Sequence, residues 1–240
     1  MFISGQVLDW NYHSENSSGP SLDEENETVW RAHEIWRHAN FLISPESSEF
    51  VLSDVIANLK RAVNHRLQAL SRSYSLDTLP FSSQKRVLER FQFYGIIRPA
   101  MLKELFAVRN AIEHRDVSPP NYEECNRYVD FVWYFLKSTD SILLMKVEDV
   151  IFSSPIRGHN ELRFVPKFEG SWRIFVHGEL SEEYMLSSAQ PGALHLEESA
   201  QRPPYIRSQI CGRWNPTEEQ LINFARSYFA LAGYWYEDHA

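Results

Sequence analysis

Residues 101–115 read Met-Leu-Lys-Glu-Leu-Phe-Ala-Val-Arg-Asn-Ala-Ile-Glu-His-Arg. At about 100° per residue this stretch makes a helix with two distinct sides. Met101, Leu105, Val108 and Ile112 fall on one stripe, the expected core face. Leu102 and Phe106 form a second apolar stripe, with Arg109 beside it. Asn110 and His114 are four apart and lie nearly opposite the core stripe, alongside Lys103 and Ala107. His114 is therefore predicted to point away from its own core. The small Ala107 permits close approach by a partner element. Pro99 suits the first turn of this helix, and Ser118-Pro119-Pro120 stops it.

Outward from this helix the periodicity predicts three more. Leu52, Val55, Leu59, Val63, Leu67 and Leu70 recur at three- and four-residue steps, which predicts a long amphipathic helix from Ser47 to Ser73. Its polar side is read as Lys60, Arg61, His65, Arg66 and Arg72. A second helix is expected from Ser82 to Tyr94. A closing helix is expected from Asn121 to Leu144, with Glu124 placed to complete a capping box. A short helix is expected over Val29 to Phe41, after a polar loop from Asn11 to Glu27.

Beyond residue 146 the period changes from helical to two. Leu162 and Phe164 alternate with Arg163 and Val165, and Ile174 and Val176 alternate with Phe175 and His177. Glu169-Gly170 between them predicts a hairpin. Residues 187–205 read as a loop, and Asn215-Pro216 predicts the start of a last helix over 217–231. The expected fold is mainly α: a four-helix bundle with a smaller C-terminal α+β portion. The expected division is an acidic segment with a short helix (1–46), the four-helix domain (47–146) and the α+β portion (147–240).

The 240 residues carry a net charge of -8, which taken whole argues against a nucleic-acid binder. The distribution leaves that open. Residues 50–115 hold 11 Lys and Arg against 5 Asp and Glu, a net of +6, between two flanks of −7 each. A basic helical centre is what a polyanion-binding face needs, and the acidic flanks are expected to screen it. Two cysteines in no CxxC pair fit a reducing compartment. No secretory leader and no apolar run long enough to cross a bilayer are read, so the expected setting is cytoplasmic, with no membrane partner.

The chemistry that follows from Arg109, Asn110 and His114 is phosphodiester cleavage. Imidazole, with a pKa near ~6.5, serves as general acid or base at neutral pH. A guanidinium holds the non-bridging oxygens as charge builds. An amide orients a phosphate or a ribose hydroxyl. In RNA the 2′-hydroxyl is an internal nucleophile, so this reading calls for no metal and no cofactor.

The segment Arg109-Asn110-Ala111-Ile112-Glu113-His114 resembles the R-x4–6-H motif of HEPN domains, in the form with Asn after the Arg. The resemblance spans roughly residues 47–145. It implies an all-α four-helix fold that usually dimerises. For many members it implies a metal-independent endoribonuclease of toxin–antitoxin, antiphage or RNA-processing systems, with an antitoxin or regulatory protein as partner. There the motif Arg and His of two protomers form one composite site. Carried over by position, Arg109 and His114 are catalytic and Asn110 supports them. Lys60, Arg61, Arg66 and Lys103 are the expected RNA-binding residues. The position two after the His, often Tyr in members paired with nucleotidyltransferases, is Asp116 here.

A second reading stands beside this one. Arg109 and Glu113 are four apart and form a plain surface ion pair, and His114 suits the helix C-terminal dipole. The chain is then a non-catalytic HEPN-like module that binds a partner protein or ligand. Other chemistries find no support. Arg31-x6-His38 meets the loose motif without the four-helix context, and His33-Glu34 with His38 has HExxxH rather than zincin spacing. There is no phosphate loop, nucleophile elbow or dinucleotide fingerprint. Cys125 reads as packing, and the aromatic strand residues Phe164, Phe168, Trp172 and Phe175 read as core.

Overall fold

The computed structural model describes residues 1–18, 25–81, 87–155, 160–198 and 209–234. The predicted start of the second helix (82–86), residues 19–24 of the predicted loop and residues 199–205 lie outside the described residues. The chain divides into two compact units, a helical one from residues 19–73 and 83–144, and a sheet-bearing one from residues 1–18, 74–82 and 145–235.

The helical unit contains α1 (Glu25–Leu42), α2 (Glu49–Ser73), α3 (Val87–Phe93), α4 (Ala100–Arg115) and α5 (Tyr122–Leu144). The apolar repeat of α2 is what drives it inward: Leu52, Val55, Ile56, Leu59, Val63, Leu67 and Leu70 are all buried. α5 starts at a cap in which the Asn121 Oδ1 accepts the Glu124 N–H at 2.9 Å. Side chains lock the helices together. The Trp36 indole of α1 donates to the Val129 carbonyl at 2.8 Å, and the Tyr128 hydroxyl of α5 donates to Glu104 of α4 at 2.6 Å. α4 is the least buried long helix, with only Leu102 and Leu105 inside.

The other unit is built on β1 (Phe2–Ile3), β2 (Asn11–His13), β5 (Val150–Ser153), β6 (Glu161–Lys167), β7 (Arg173–Glu179), β8 (Met185–Leu186), β9 (Leu194–Glu198) and β10 (Ile210–Trp214). They form an eight-stranded antiparallel sheet in the order β2-β5-β6-β7-β10-β9-β1-β8. A two-stranded ribbon pairs β3 (Ser17–Ser18) with β4 (Lys146–Val147). A flat sheet would separate β1 and β2 by about 29 Å, six strand spacings. Residues 4–10 connect them, and Gly5–Asp9 form a tight 3-10 turn. With about 2.0 Å rise per residue in that turn, the link spans only about 22 Å. The sheet must therefore curl.

Alternation sets its two faces. Leu162, Phe164, Ile174, Val176, Ile210 and Trp214 are buried on one. Phe164 and Trp214 pack ring to ring with each other and with Phe224 of α6 (Glu218–Tyr234), whose Tyr228 and Phe229 pack on Trp172. Phe175, on the opposite face, is half-exposed, so it is not core. α6 is capped by Thr217 and Gln220, each side chain accepting the other's backbone N–H, rather than by Asn215. Gly178 of β7 sits where an added Cβ would come within 2.0 Å of the Glu161 carbonyl oxygen of β6. Gly178→Ala should therefore destabilise the chain by about 1–3 kcal/mol, read as a lower denaturant midpoint. An unchanged midpoint would mean that β6 and β7 can part at that point without cost.

The expectation of a mainly α chain is overturned by this sheet. The sheet unit takes in the N-terminal residues and the stretch after α2, so the fold is not a four-helix bundle with a small appendage. The physical reason is that β1 and β2 are very short and β2 is exposed throughout, so no two-residue alternation marks them. Their partners lie far along the chain, Phe2 opposite His195 and Asn11 opposite Ser153. Asp149 pins the N-terminal segment in place. It accepts from the Ser14 hydroxyl at 3.0 Å, the Glu15 N–H at 3.2 Å and the Asn16 amide at 2.5 Å, and it pairs with Arg163 at 2.6 Å. Burial alone would raise the Asp149 carboxyl, but these donors and the Arg163 charge hold it below the usual range.

Candidate functional site

α4 presents the motif residues at its C-terminal half. His114 is open to water, its side chain 71% exposed, and its Nε2 stands 3.9 Å from Glu113 Oε2. The Arg109 guanidinium pairs with Glu113 one turn on, and its Nε is buried without a partner among the described residues. Asn110 is exposed, and its Oδ1 accepts from Lys60 Nζ of α2 at 3.3 Å. That ammonium also stands 5.5 Å from the centroid of the Phe106 ring. Burial and the nearby Arg109 charge hold the Lys60 amine below its ordinary range. Arg109, Asn110, Glu113, His114, Lys60 and Phe106 thus form one local set on the surface of α4 and the adjoining side of α2.

The remaining residues expected to bind RNA divide. Lys103 and Arg61 are exposed. Arg66 is not available to any ligand in bulk solvent. It is fully buried, with Nη2 2.7 Å from Asp140 Oδ1 of α5. The same carboxylate accepts from His33 Nε2 of α1 at 2.9 Å and lies 3.5 Å from Lys137 Nζ. Burial by itself would raise the Asp140 carboxyl. The hydrogen bond from His33 and the charge and hydrogen bond of Arg66 outweigh it and hold the carboxyl below the usual range. The signal was present in the sequence. Arg66 lies seven residues after Leu59 and four after Ala62, on the apolar stripe of α2, where a cation demands a buried counter-ion.

The rest of the titratable set offers little chemistry. Burial, helped by Glu124, pushes the Cys125 thiol up to about 11, and its Sγ donates to the Pro120 carbonyl. It is therefore a packing residue rather than a nucleophile. His177 is held below its ordinary range by burial and by Arg163 beside it on β6. Among the described residues no group of three or more His, Cys, Asp or Glu could hold a metal ion, and no helix is long and apolar enough to cross a membrane. Comparison with protein-family models, with curated proteins and with solved structures finds no match for this chain.

Proposed function

We propose that the chain is a metal-independent endoribonuclease in which Arg109 and His114 of two copies make one composite site. The observation that carries this reading is the exposure of His114 beside an arginine and an amide that α2 already braces through Lys60. A catalytic imidazole mostly open to water lacks the shielded, low-dielectric surroundings in which charge stabilisation is strong. One α4 surface is therefore half a site, and a second copy facing it supplies the other half and excludes water.

The step balances without a cofactor. The ribose 2′-oxygen bonds to phosphorus while the P–O5′ bond breaks. One imidazole takes the 2′-hydroxyl proton, and the imidazolium of the partner copy donates a proton to O5′. The products are a 2′,3′-cyclic phosphate and a 5′-hydroxyl. Arg109 neutralises the non-bridging oxygens, for which it must leave Glu113. That exchange is cheap, because a part-exposed ion pair one turn apart on a helix is worth only about 0.3–0.5 kcal/mol. Asn110, with Lys60 behind it, orients the phosphate or the ribose.

The Arg109–Glu113 pair also favours the second reading, a HEPN-like binding module in which the guanidinium is simply a surface ion-pair member. Incubating purified wild type and His114→Ala with total RNA in EDTA separates the two. Cleavage by the wild type alone is expected. Equal cleavage by both, or none by either, leaves the binding module.

A further inference from the structure

Arg61, His65 and Arg72 of α2 lie within about 40° of one another around the helix axis, at steps of four and seven residues. Gln68 falls on the same stripe, so between Arg61 and Arg72 it carries no acidic residue and no apolar one. Arg61, Gln68 and Arg72 are exposed and His65 is half-buried. Arg31 of α1, paired with Glu34 at 2.9 Å, adds its charge to those of Arg61 and Arg72 acting on His65. Burial and these three cations hold the His65 imidazole below its ordinary range, and no carboxylate opposes them. Among the described residues Arg61, His65 and Arg72 have no ion-pair partner. In a chain of net charge -8 this is a concentration of like charge.

We propose that Arg61, His65 and Arg72 form a phosphate-binding track that holds the backbone of an RNA strand extending from the Arg109–His114 site. The proposal rests on the ribonuclease reading and adds the path of its substrate. Two features select an extended polyanion. The eleven residue steps from Arg61 to Arg72 set the ends of the stripe about 16 Å apart, too far for one phosphate group to touch both. Lys60, which reaches Asn110, immediately precedes Arg61 and lies about 100° from it around α2, so a strand leaving the motif surface crosses this one turn of the helix to reach the track. Arginine suits this role, since its donors match phosphate oxygens and its charge persists at every physiological pH.

The test is binding of a fluorescein-labelled single-stranded RNA of mixed sequence, by anisotropy at a series of salt concentrations. The full-length chain carrying His114→Ala serves as parent, so that the probe stays intact. Arg61→Gln/Arg72→Gln is expected to weaken binding at least tenfold at low salt. It should also flatten the salt dependence by about 1.4 in the log–log slope, the signature of two lost phosphate contacts. Arg61→Lys/Arg72→Lys should keep most of the affinity, and thermal melting of each variant should match the parent. Equal affinity and slope in the Gln variant would overturn the track while leaving the ribonuclease reading intact. A parent that binds no RNA at any salt would overturn both. A polyglutamate peptide that binds as tightly as RNA, with the same loss in the Gln variant, would reassign the stripe to acidic protein and overturn the RNA path.

Discussion

Asp140→Asn should destabilise the helical unit by about 3–5 kcal/mol, the cost of leaving a buried charge without its counter-ion. Arg66 is fully buried and Asp140 is its only ion-pair partner among the described residues. Its Nε and Nη1 already lack acceptors there, so an amide in place of the carboxylate leaves the guanidinium still charged and poorly solvated. His33 and Lys137 face the same carboxylate, so one substitution disturbs α1, α2 and α5 together. Chemical denaturation followed by far-ultraviolet dichroism reads the loss. A companion variant, Arg66→Met/Asp140→Leu, should recover much of it, since removing both charges abolishes the desolvation cost. A single Asn variant as stable as the wild type would mean that water reaches Arg66 freely.

The pH dependence follows with its sign. The folded Asp140 carboxyl lies below its unfolded value, which is about 3.9. Its stabilising contribution is therefore fully present above that value and is lost as pH falls through the folded one. Wild type should lose stability below about pH 4 more steeply than Asp140→Asn, which has no such proton to take up. Parallel acid profiles would assign the acid sensitivity to other carboxylates, Asp149 first among them.

His114→Ala carries the second large effect. Removal of a general acid–base group should lower RNA cleavage by about 10²–10⁴-fold. Stability should change little, because the side chain is mostly in water and its nearest charged neighbour, Glu113, is 3.9 Å away. Arg109→Ala should cost about 10²–10³-fold through lost stabilisation of the phosphorane oxygens. It should also free Glu113, a change in surface charge that leaves folding almost untouched. A large fall in stability with either substitution would point instead to a structural role for that end of α4.

The long helices α2 and α5 were legible because each repeats its apolar period several times. α2 runs for 25 residues and α5 for 23, and their buried residues are the ones at three- and four-residue steps. The hairpin of β6 and β7 was legible for the same reason at period two. β1 and β2 have no period to read, and what places them is distant pairing and the hydrogen bonds to Asp149. This changes the meaning of the acidic N-terminal flank. Residues 1–18 carry β1 and β2 of the sheet and β3 of the ribbon, so deleting residues 1–45 to unscreen the basic helices would also remove these strands.

At the candidate site, helical geometry alone set Asn110 and His114 on one side of α4. The Lys60 contact was not legible, because it depends on how α2 packs on α4. Arg66 has the charge of a polar-side residue but the position of an apolar-stripe one, and its position decides its burial. Its neighbours Arg61 and His65 remain at the surface, and the stripe they define was visible in the sequence only as an excess of positive charge.

The most direct test of the central claim is cleavage of a labelled RNA oligonucleotide in EDTA beside the same oligonucleotide built from 2′-deoxynucleotides, with the new ends analysed by mass spectrometry. In-line attack by the 2′-oxygen predicts that only the RNA is cut, leaving a 2′,3′-cyclic phosphate and a 5′-hydroxyl, and that His114→Ala abolishes both products. Cleavage of the deoxy strand, or a 5′-phosphate on the RNA product, would contradict the assignment of Arg109 and His114 to metal-free transesterification.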